Sequence, residues 1–149
     1  MNRRFLVVTP NVIARQFIVG ELRMLDPGYE VMGATSGSEA VDFIKKELVK
    51  PDILIVEADM PTMSGFDLAQ QLFVLGIRIP TMFMIEKGDQ YAYTEAQHFH
   101  GKGLIKPVSM ERLRMVLKTM LEELYHSSSV ADSPAPPLQV LIPLQAKAV

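Results

Sequence analysis

Five short apolar runs, each followed by a helical pattern, constrain the fold of this chain more than any other feature. The runs cover residues 5–8, 30–34, 53–56, 81–85 and 103–105. Several of them are apolar at almost every position, which is typical of parallel strands that are covered on both faces. The regular alternation of strand and helix therefore predicts an α/β domain with a parallel sheet.

The segments between and after these runs have the periodicity of amphipathic helices. The predicted helices cover residues 12–25, 38–49, 66–75, 90–99 and 110–125. Right-handed crossovers then give a flavodoxin-like, doubly wound sheet of five parallel strands in the order 2-1-3-4-5, with helices on both faces.

Helix start signals support these boundaries. Ser36 and Glu39 have the spacing of a capping box, in which the hydroxyl accepts from the backbone N–H three residues on and the carboxylate reaches back. Ser64 and Asp67 repeat this spacing, and Ser109 is the predicted N-cap of the last helix. Three of the five helices therefore have a predicted first residue.

Composition limits the classes of function. The 149 residues are 48% apolar with a formal charge of -2, which fits one globular domain without the Lys/Arg clustering of a nucleic-acid binder. The first apolar run has four residues, too few for a signal peptide or a membrane span. Cysteine is absent, which fits a reducing compartment. We expect a cytoplasmic protein without membrane insertion or direct contact with nucleic acid.

The composition changes after residue 126. All predicted strands and helices lie in residues 1–126, which form the predicted domain, whereas residues 127–149 begin as a Ser/Pro/Ala-rich linker. Residues 138–144 are then strongly apolar. Three interpretations of this tail are open: a disordered end, the edge of a longer protein, or a short peptide that adds to a sheet edge or a groove.

The predicted pocket lies at the carboxyl ends of the strands, where doubly wound sheets bind their ligands. The residues at these ends are Thr9, Pro10, Glu57, Asp59, Ile85, Glu86 and Lys106. No pair of nucleophile and base is found among them. We therefore predict no catalytic residue, and the protein is not expected to be an enzyme. No metal site is predicted either.

Three sequence landmarks carry a resemblance to a known family. They are Pro51-Asp52 before an apolar run, Met60-Pro61-x-Met63-x-Gly65 after it, and Lys106-Pro107. Together they resemble the receiver domain of response regulators, of the chemotaxis CheY type, over about residues 4–124. The resemblance implies a two-component, phosphorelay signal-transduction module that contacts partner proteins.

The resemblance also implies a set of reacting residues, most of which this chain lacks. In the family, two acidic residues follow the first strand, an Asp that accepts phosphate ends the third, a Thr or Ser ends the fourth, and Lys-Pro follows the fifth. Here Thr9 and Pro10 stand at the acidic pair, Glu57 at the acceptor and Ile85 at the hydroxyl, whereas Lys106 is retained. The chain is thus predicted to be a degenerate receiver, or pseudo-receiver.

Loss of the acidic pair predicts weak or absent Mg²⁺ binding, because that ion prefers several oxygen ligands. We expect no cofactor, and we expect Glu57 and Lys106 to form a fixed ion pair in place of a phosphorylation switch. The family resemblance places the contact with a protein partner, or with a second copy, on the fourth helix, fifth strand and fifth helix.

Other functions remain open at this point. Asp59 and Glu86 could form a displaced acidic site that binds a cation, with Asp59 or Glu57 as the phosphate acceptor. A flavodoxin-like small-molecule binder is a second alternative, although no loop has the glycine-rich or hydroxyl-rich character of a phosphate cradle.

Overall fold

The structure, a computed structural model, describes residues 3–48 and 50–129. These residues form five strands and five helices in strict alternation. In chain order the elements are β1 (Arg4–Val8), α1 (Val12–Leu25), β2 (Glu30–Ala34), α2 (Gly37–Lys45), β3 (Ile53–Glu57), α3 (Gly65–Val74), β4 (Thr81–Ile85), α4 (Gln90–His98), β5 (Lys102–Ile105) and α5 (Met110–Ser129).

The strands form one parallel sheet in the order β2-β1-β3-β4-β5, which confirms the predicted topology. Pairing is continuous, with Val8 opposite both Ala34 and Val56, and Glu57 opposite Met84. The carboxyl ends of β1, β3, β4 and β5 therefore meet at one edge of the sheet, which is where the predicted site residues lie.

Successive strand residues contribute to two different cores, because side chains alternate across a strand. Leu54 and Val56 pack with α2, α3 and α4 on one face. Ile53 and Ile55 pack with α1 and α5 on the other. Each aliphatic side chain buried in this way stabilises the fold by roughly 1.5–3 kcal/mol, which explains why the central strands are apolar at nearly every position.

Most element boundaries lie within one residue of those predicted, but two helix ends were wrong. Helix α2 ends at Lys45, not at residue 49, because Glu47 has a φ of 57° and the Leu48 N–H turns back to the Phe43 carbonyl at 2.9 Å. Helix α5 continues to Ser129, since no Gly or Pro interrupts residues 126–129. The remainder of the predicted linker and tail lies outside the described residues.

The predicted caps are present, with one difference. Ser64 and Asp67 form a complete capping box at the start of α3. At α2 the Ser36 hydroxyl accepts from the Glu39 N–H at 3.1 Å, but the Glu39 carboxylate accepts from the Thr35 N–H at 2.8 Å instead of from that of Ser36. Within the described part of the chain, no helix has the length and apolar character needed to cross a membrane.

Candidate functional site

Glu57 occupies the centre of the candidate site. It is the last residue of β3 and its side chain is only 8% exposed. One carboxylate oxygen accepts a hydrogen bond from the Thr9 hydroxyl at 3.2 Å, and the other forms an ion pair with the Lys106 ammonium. Both oxygens of this buried carboxylate therefore have a partner within the protein.

Thr9 is fixed in place by several hydrogen bonds. It is fully buried directly after β1, and its N–H donates to the Ala34 carbonyl at 3.1 Å. Its hydroxyl oxygen accepts from the Asn11 N–H at 3.1 Å, and its carbonyl accepts from the Arg15 guanidinium at 2.5 Å. The hydroxyl therefore donates to Glu57 from a fixed position.

Lys106 closes the other side of the site. Its backbone N–H donates to the Ile85 carbonyl at 2.8 Å, which continues the β4–β5 ladder past the end of β5. Its ammonium lies against Glu57 and also 3.1 Å from a carboxylate oxygen of Glu86, whose side chain is 65% exposed. Burial lowers the pKa of Lys106 from its ordinary value, whereas the two carboxylates favour its charged form.

The other predicted site residues lie apart from this cluster. Ile85 is 1% exposed and belongs to the apolar core, so the position that carries a hydroxyl in the family is filled by hydrocarbon here. Pro10 and Asp59 are exposed, and among the described residues Asp59 makes neither a hydrogen bond nor an ion pair. The structure thus unites Thr9, Glu57, Lys106 and Glu86.

The loop after β3 packs against the backbone of Glu57. A Cβ atom on Gly65 would lie 2.5 Å from the Glu57 carbonyl oxygen, so only glycine fits at this first position of α3. The Gly65 N–H donates to the Ala58 carbonyl at 2.9 Å, and Thr62 adopts a left-handed φ of 70°. The close approach of the Glu57 backbone therefore explains why glycine stands at position 65, the last position of the Met-Pro-x-Met-x-Gly landmark.

Several residues of the site were missed by sequence reasoning. Asn11 and Arg15 hold Thr9 through hydrogen bonds, and their only signal was a helix N-cap followed one turn later by a long cationic side chain. An apolar cleft also opens beside Glu57, between α1 and the segment after β5. It is lined by Ile13, Phe17, Met84, Pro107 and Val108, among others.

The donor set of this pocket does not fit the divalent cation that the fold family implies. Of the two positions expected to carry acidic ligands, one holds a hydroxyl that already donates to Glu57 and the other an exposed proline. The Glu57 carboxylate already forms an ion pair with the Lys106 ammonium. In the part of the chain that the structure describes, no three His, Cys, Asp or Glu side chains are grouped to hold a metal ion.

Comparison with known families identifies a receiver domain. The family model described as the response regulator receiver domain matches residues 5–118, which is most of the chain and includes the five strands except for the first residue of β1. The chemotaxis protein CheY of Thermotoga maritima is 30% identical over 115 residues, covering 76% of this chain and 92% of that protein.

Other relatives are longer than the matched region. The uncharacterized transcriptional regulatory protein YbdJ of Bacillus subtilis is 24% identical over 122 residues, which cover 82% of this chain and 52% of YbdJ. The transcriptional regulatory protein DesR of the same species is 39% identical over 62 residues, covering 41% of this chain and 30% of DesR. The matches thus span about half or less of these two regulators.

Solved structures have the same fold. A putative response regulator from Chloroflexus aurantiacus superposes with a TM-score of 0.71 at 26% identity, covering 82% of this chain and 99% of that one. The chemotaxis protein CheY4 of Vibrio cholerae gives a TM-score of 0.68 at 25% identity, covering 80% of this chain and 98% of that one. These likenesses agree with the sheet order and the five-helix arrangement.

Proposed function

Because this chain belongs to the response regulator receiver family, we propose that it is a receiver module that signals through protein contact without being phosphorylated. The observation that carries this proposal is the internal pairing of Glu57, whose two oxygens are engaged by Thr9 and Lys106. A carboxylate in this state has no free oxygen directed at a phosphoryl donor. The polar pocket is satisfied by its own side chains.

Phosphoryl transfer to a carboxylate depends on positioning and on neutralisation of charge, chiefly by a divalent cation. Charge stabilisation by a metal is worth several kcal/mol, and each ~1.4 kcal/mol is tenfold in rate, so loss of the acidic pair lowers the rate by roughly 10²- to 10⁴-fold. The apolar Ile85 adds to this loss, because no hydroxyl remains there to bind a phosphoryl oxygen. We propose weak or absent Mg²⁺ binding for the same reason.

The displaced acidic site is supported by one observation only. Glu86 lies 3.1 Å from the Lys106 ammonium, so a second carboxylate is present at the mouth of the pocket. Asp59, its intended partner, is exposed and has no bond or ion pair in the described chain. We therefore consider phosphorylation at a displaced site formed by Asp59, Glu86 and Glu57 less well supported than a module that signals without phosphorylation.

Intact-mass measurement after incubation with acetyl phosphate and Mg²⁺ tests this proposal. The matched positive control is the restored variant, which carries Thr9→Asp, Pro10→Asp, Glu57→Asp and Ile85→Thr and returns the family's residue types to the pocket. We expect a phosphoryl adduct on the restored variant and none on the natural chain. An adduct on the natural chain, mapped by peptide mass to Asp59, Glu86 or Glu57, would support the displaced site instead.

We further propose that the module binds a signalling protein, or a second copy, through α4, β5 and α5, in the cytoplasm. Tyr93 supports this choice, because it is 44% exposed on α4 and its ring lies 3.5 Å from where a Cβ of Gly103 in β5 would be. Tyrosine is enriched at protein interfaces. A large amphipathic ring is thus presented between α4 and β5.

A pair of photo-crosslinking variants tests the location of this face. A crosslinking amino acid replaces Tyr93 in one variant and Tyr91 in the other; Tyr91 is 75% exposed on the same helix but roughly 200° away around its axis. We expect crosslinks to one defined protein, or to a second copy, from position 93 and few from position 91. Equal yields at both positions would contradict the assigned face.

A further inference from the structure

An apolar groove lies on the side of the domain away from the candidate site. It is formed by the end of α1, the loop that follows and the second half of α5, and we call it the α1–α5 groove. Its apolar lining consists of Leu25, Tyr29, Leu117, Leu121 and Tyr125. Leu117 is 3% exposed and lies at the bottom of the groove, whereas Tyr125 is 69% exposed, so the apolar surface open to water lies mainly at Tyr125.

The same chain carries an apolar segment that follows shortly after this groove. Residues 138–144 have the sequence Leu-Gln-Val-Leu-Ile-Pro-Leu, with five aliphatic side chains and no charge. From residue 133 to the last residue, the only charged side chain is Lys147. Exposure of so many aliphatic groups in water is unfavourable, so the segment calls for an apolar surface that covers it.

The connection between the two has a suitable length. Helix α5 ends at Ser129, and the eight residues 130–137 that follow can span at most about 26–29 Å. Leu117, in the middle of the groove, lies twelve residues before Ser129, or about 18 Å back along the helix axis. The linker can therefore return the apolar segment along the outside of α5.

The dimensions of segment and groove also agree. The α5 side of the groove runs from Arg114 to His126, which is about 18 Å along the helix. Seven extended residues cover about 23 Å, so the segment is long enough to fill the groove from end to end. A short tether also holds the segment at an effective concentration of roughly millimolar, which favours its own groove over the groove of another molecule.

We propose that residues 138–144 dock into the α1–α5 groove of their own chain. The aliphatic side chains of the segment cover Leu121 and Tyr125, and the Ser/Pro/Ala-rich residues before it connect the segment to α5. The docked segment covers the groove side of α5 and leaves the side near α4 and β5 accessible to a partner. This inference does not depend on whether Glu57 is phosphorylated.

A spin label on the tail tests the proposal directly. The chain has no cysteine, so Gln145→Cys gives a single site for a nitroxide in the 149-residue chain. We expect loss of the amide NMR signals of groove residues Lys118 and Glu122. Signals of Asp59 and Gly88, in loops that follow the carboxyl ends of β3 and β4, should stay intact.

Two variants and a mixing experiment define the outcomes. The tail change Leu141→Ser with Ile142→Ser should restore the groove signals, whereas Gln139→Ser should leave them broadened. Tyr125→Ser should weaken docking, whereas Tyr91→Ser, also at an exposed tyrosine, should have no effect. Groove signals that persist in the labelled protein would overturn the proposal. The proposal would also be overturned by a mixing experiment in which isotope-enriched chains without a spin label lose their groove signals when spin-labelled chains without isotope enrichment are added. The groove would then be filled by the tail of a second copy.

Discussion

The pocket around Glu57 and the loop from Ala58 to Gly65 are adjacent, yet they retain the family pattern to different degrees. The pocket has a hydroxyl and a proline at the acidic pair and a longer acid at the acceptor. The loop keeps its Met-Pro landmark and its glycine. The difference reflects two kinds of constraint on the same stretch of chain.

The loop is constrained by sterics, since a Cβ on Gly65 would meet the Glu57 carbonyl oxygen at 2.5 Å whatever the pocket does chemically. The pocket is constrained only by the need to satisfy buried polar groups, which Thr9, Glu57 and Lys106 do for one another. The receiver fold is therefore compatible with the residues that this chain has in the pocket. The predictions below measure each constraint.

Removal of the cation from the pocket should have the largest effect. Lys106→Met leaves the Glu57 carboxylate buried without its ionic partner, and we expect a loss of about 2–3 kcal/mol in the free energy of unfolding, less than for a fully buried pair because Lys106 is 29% exposed. Urea denaturation measures this loss. In the double variant with Glu57→Gln, much of it should be recovered; an equal loss in both variants would contradict an ion pair.

A methyl group in the loop should be nearly as costly. Gly65→Ala places a Cβ against the Glu57 backbone, and we expect about 2 kcal/mol of destabilisation, as for other overpacked sites. Gly20→Ala is the matched control, because it lies in α1 with nothing within 4 Å of its Cβ and should stabilise by about 0.5–1 kcal/mol. Similar stability of the two alanine variants would show that the loop is not sterically constrained.

Loss of the Thr9 hydroxyl should have an intermediate effect. Thr9→Val removes the donor to Glu57 and the acceptor of the Asn11 N–H, and we expect a cost of about 1–2 kcal/mol from the unsatisfied groups. Thr9→Ser keeps the hydroxyl and should be less destabilised in the same urea experiment. If serine is destabilising and valine is not, packing of the methyl group, and not hydrogen bonding, holds Thr9 in place.

The outer carboxylate should matter least. Glu86 also pairs with Lys106, but its side chain is 65% exposed, and exposed ion pairs contribute about 0–1 kcal/mol. We expect Glu86→Gln to change the free energy of unfolding by less than about 0.5 kcal/mol. A loss close to that of Lys106→Met would mean that Glu86, not Glu57, is the principal partner of the ammonium.

The sheet order and the position of the pocket were predictable from sequence. Apolar runs fix which strands are covered on both faces, and the carboxyl ends of parallel strands must meet at one edge. The contact of Glu57 with Lys106 agrees with this geometry, because Glu57 ends β3, Lys106 follows β5, and both strands flank β4 at this edge.

Other details depend on side-chain geometry that no periodic pattern encodes. The hydrogen bond from Arg15 to the Thr9 carbonyl requires a particular rotamer across the β1–α1 turn. The early end of α2 depends on Glu47 in a left-handed conformation. Glycine usually occupies this conformation at the end of a helix. Because the residue here is Glu, the sequence gave no signal that the helix stops.

An amide NMR titration with Mg²⁺ and then beryllofluoride, a mimic of the phosphoryl group, tests the central claim most directly. The natural chain and the restored variant are titrated side by side, and the signals of Ala58, Glu86 and Lys106 are followed. A self-satisfied pocket predicts no localised shifts in the natural chain and clear shifts in the restored variant. Saturable shifts at these three amides in the natural chain would contradict the account, because the pocket would then still bind the ligands of a phosphorylated receiver.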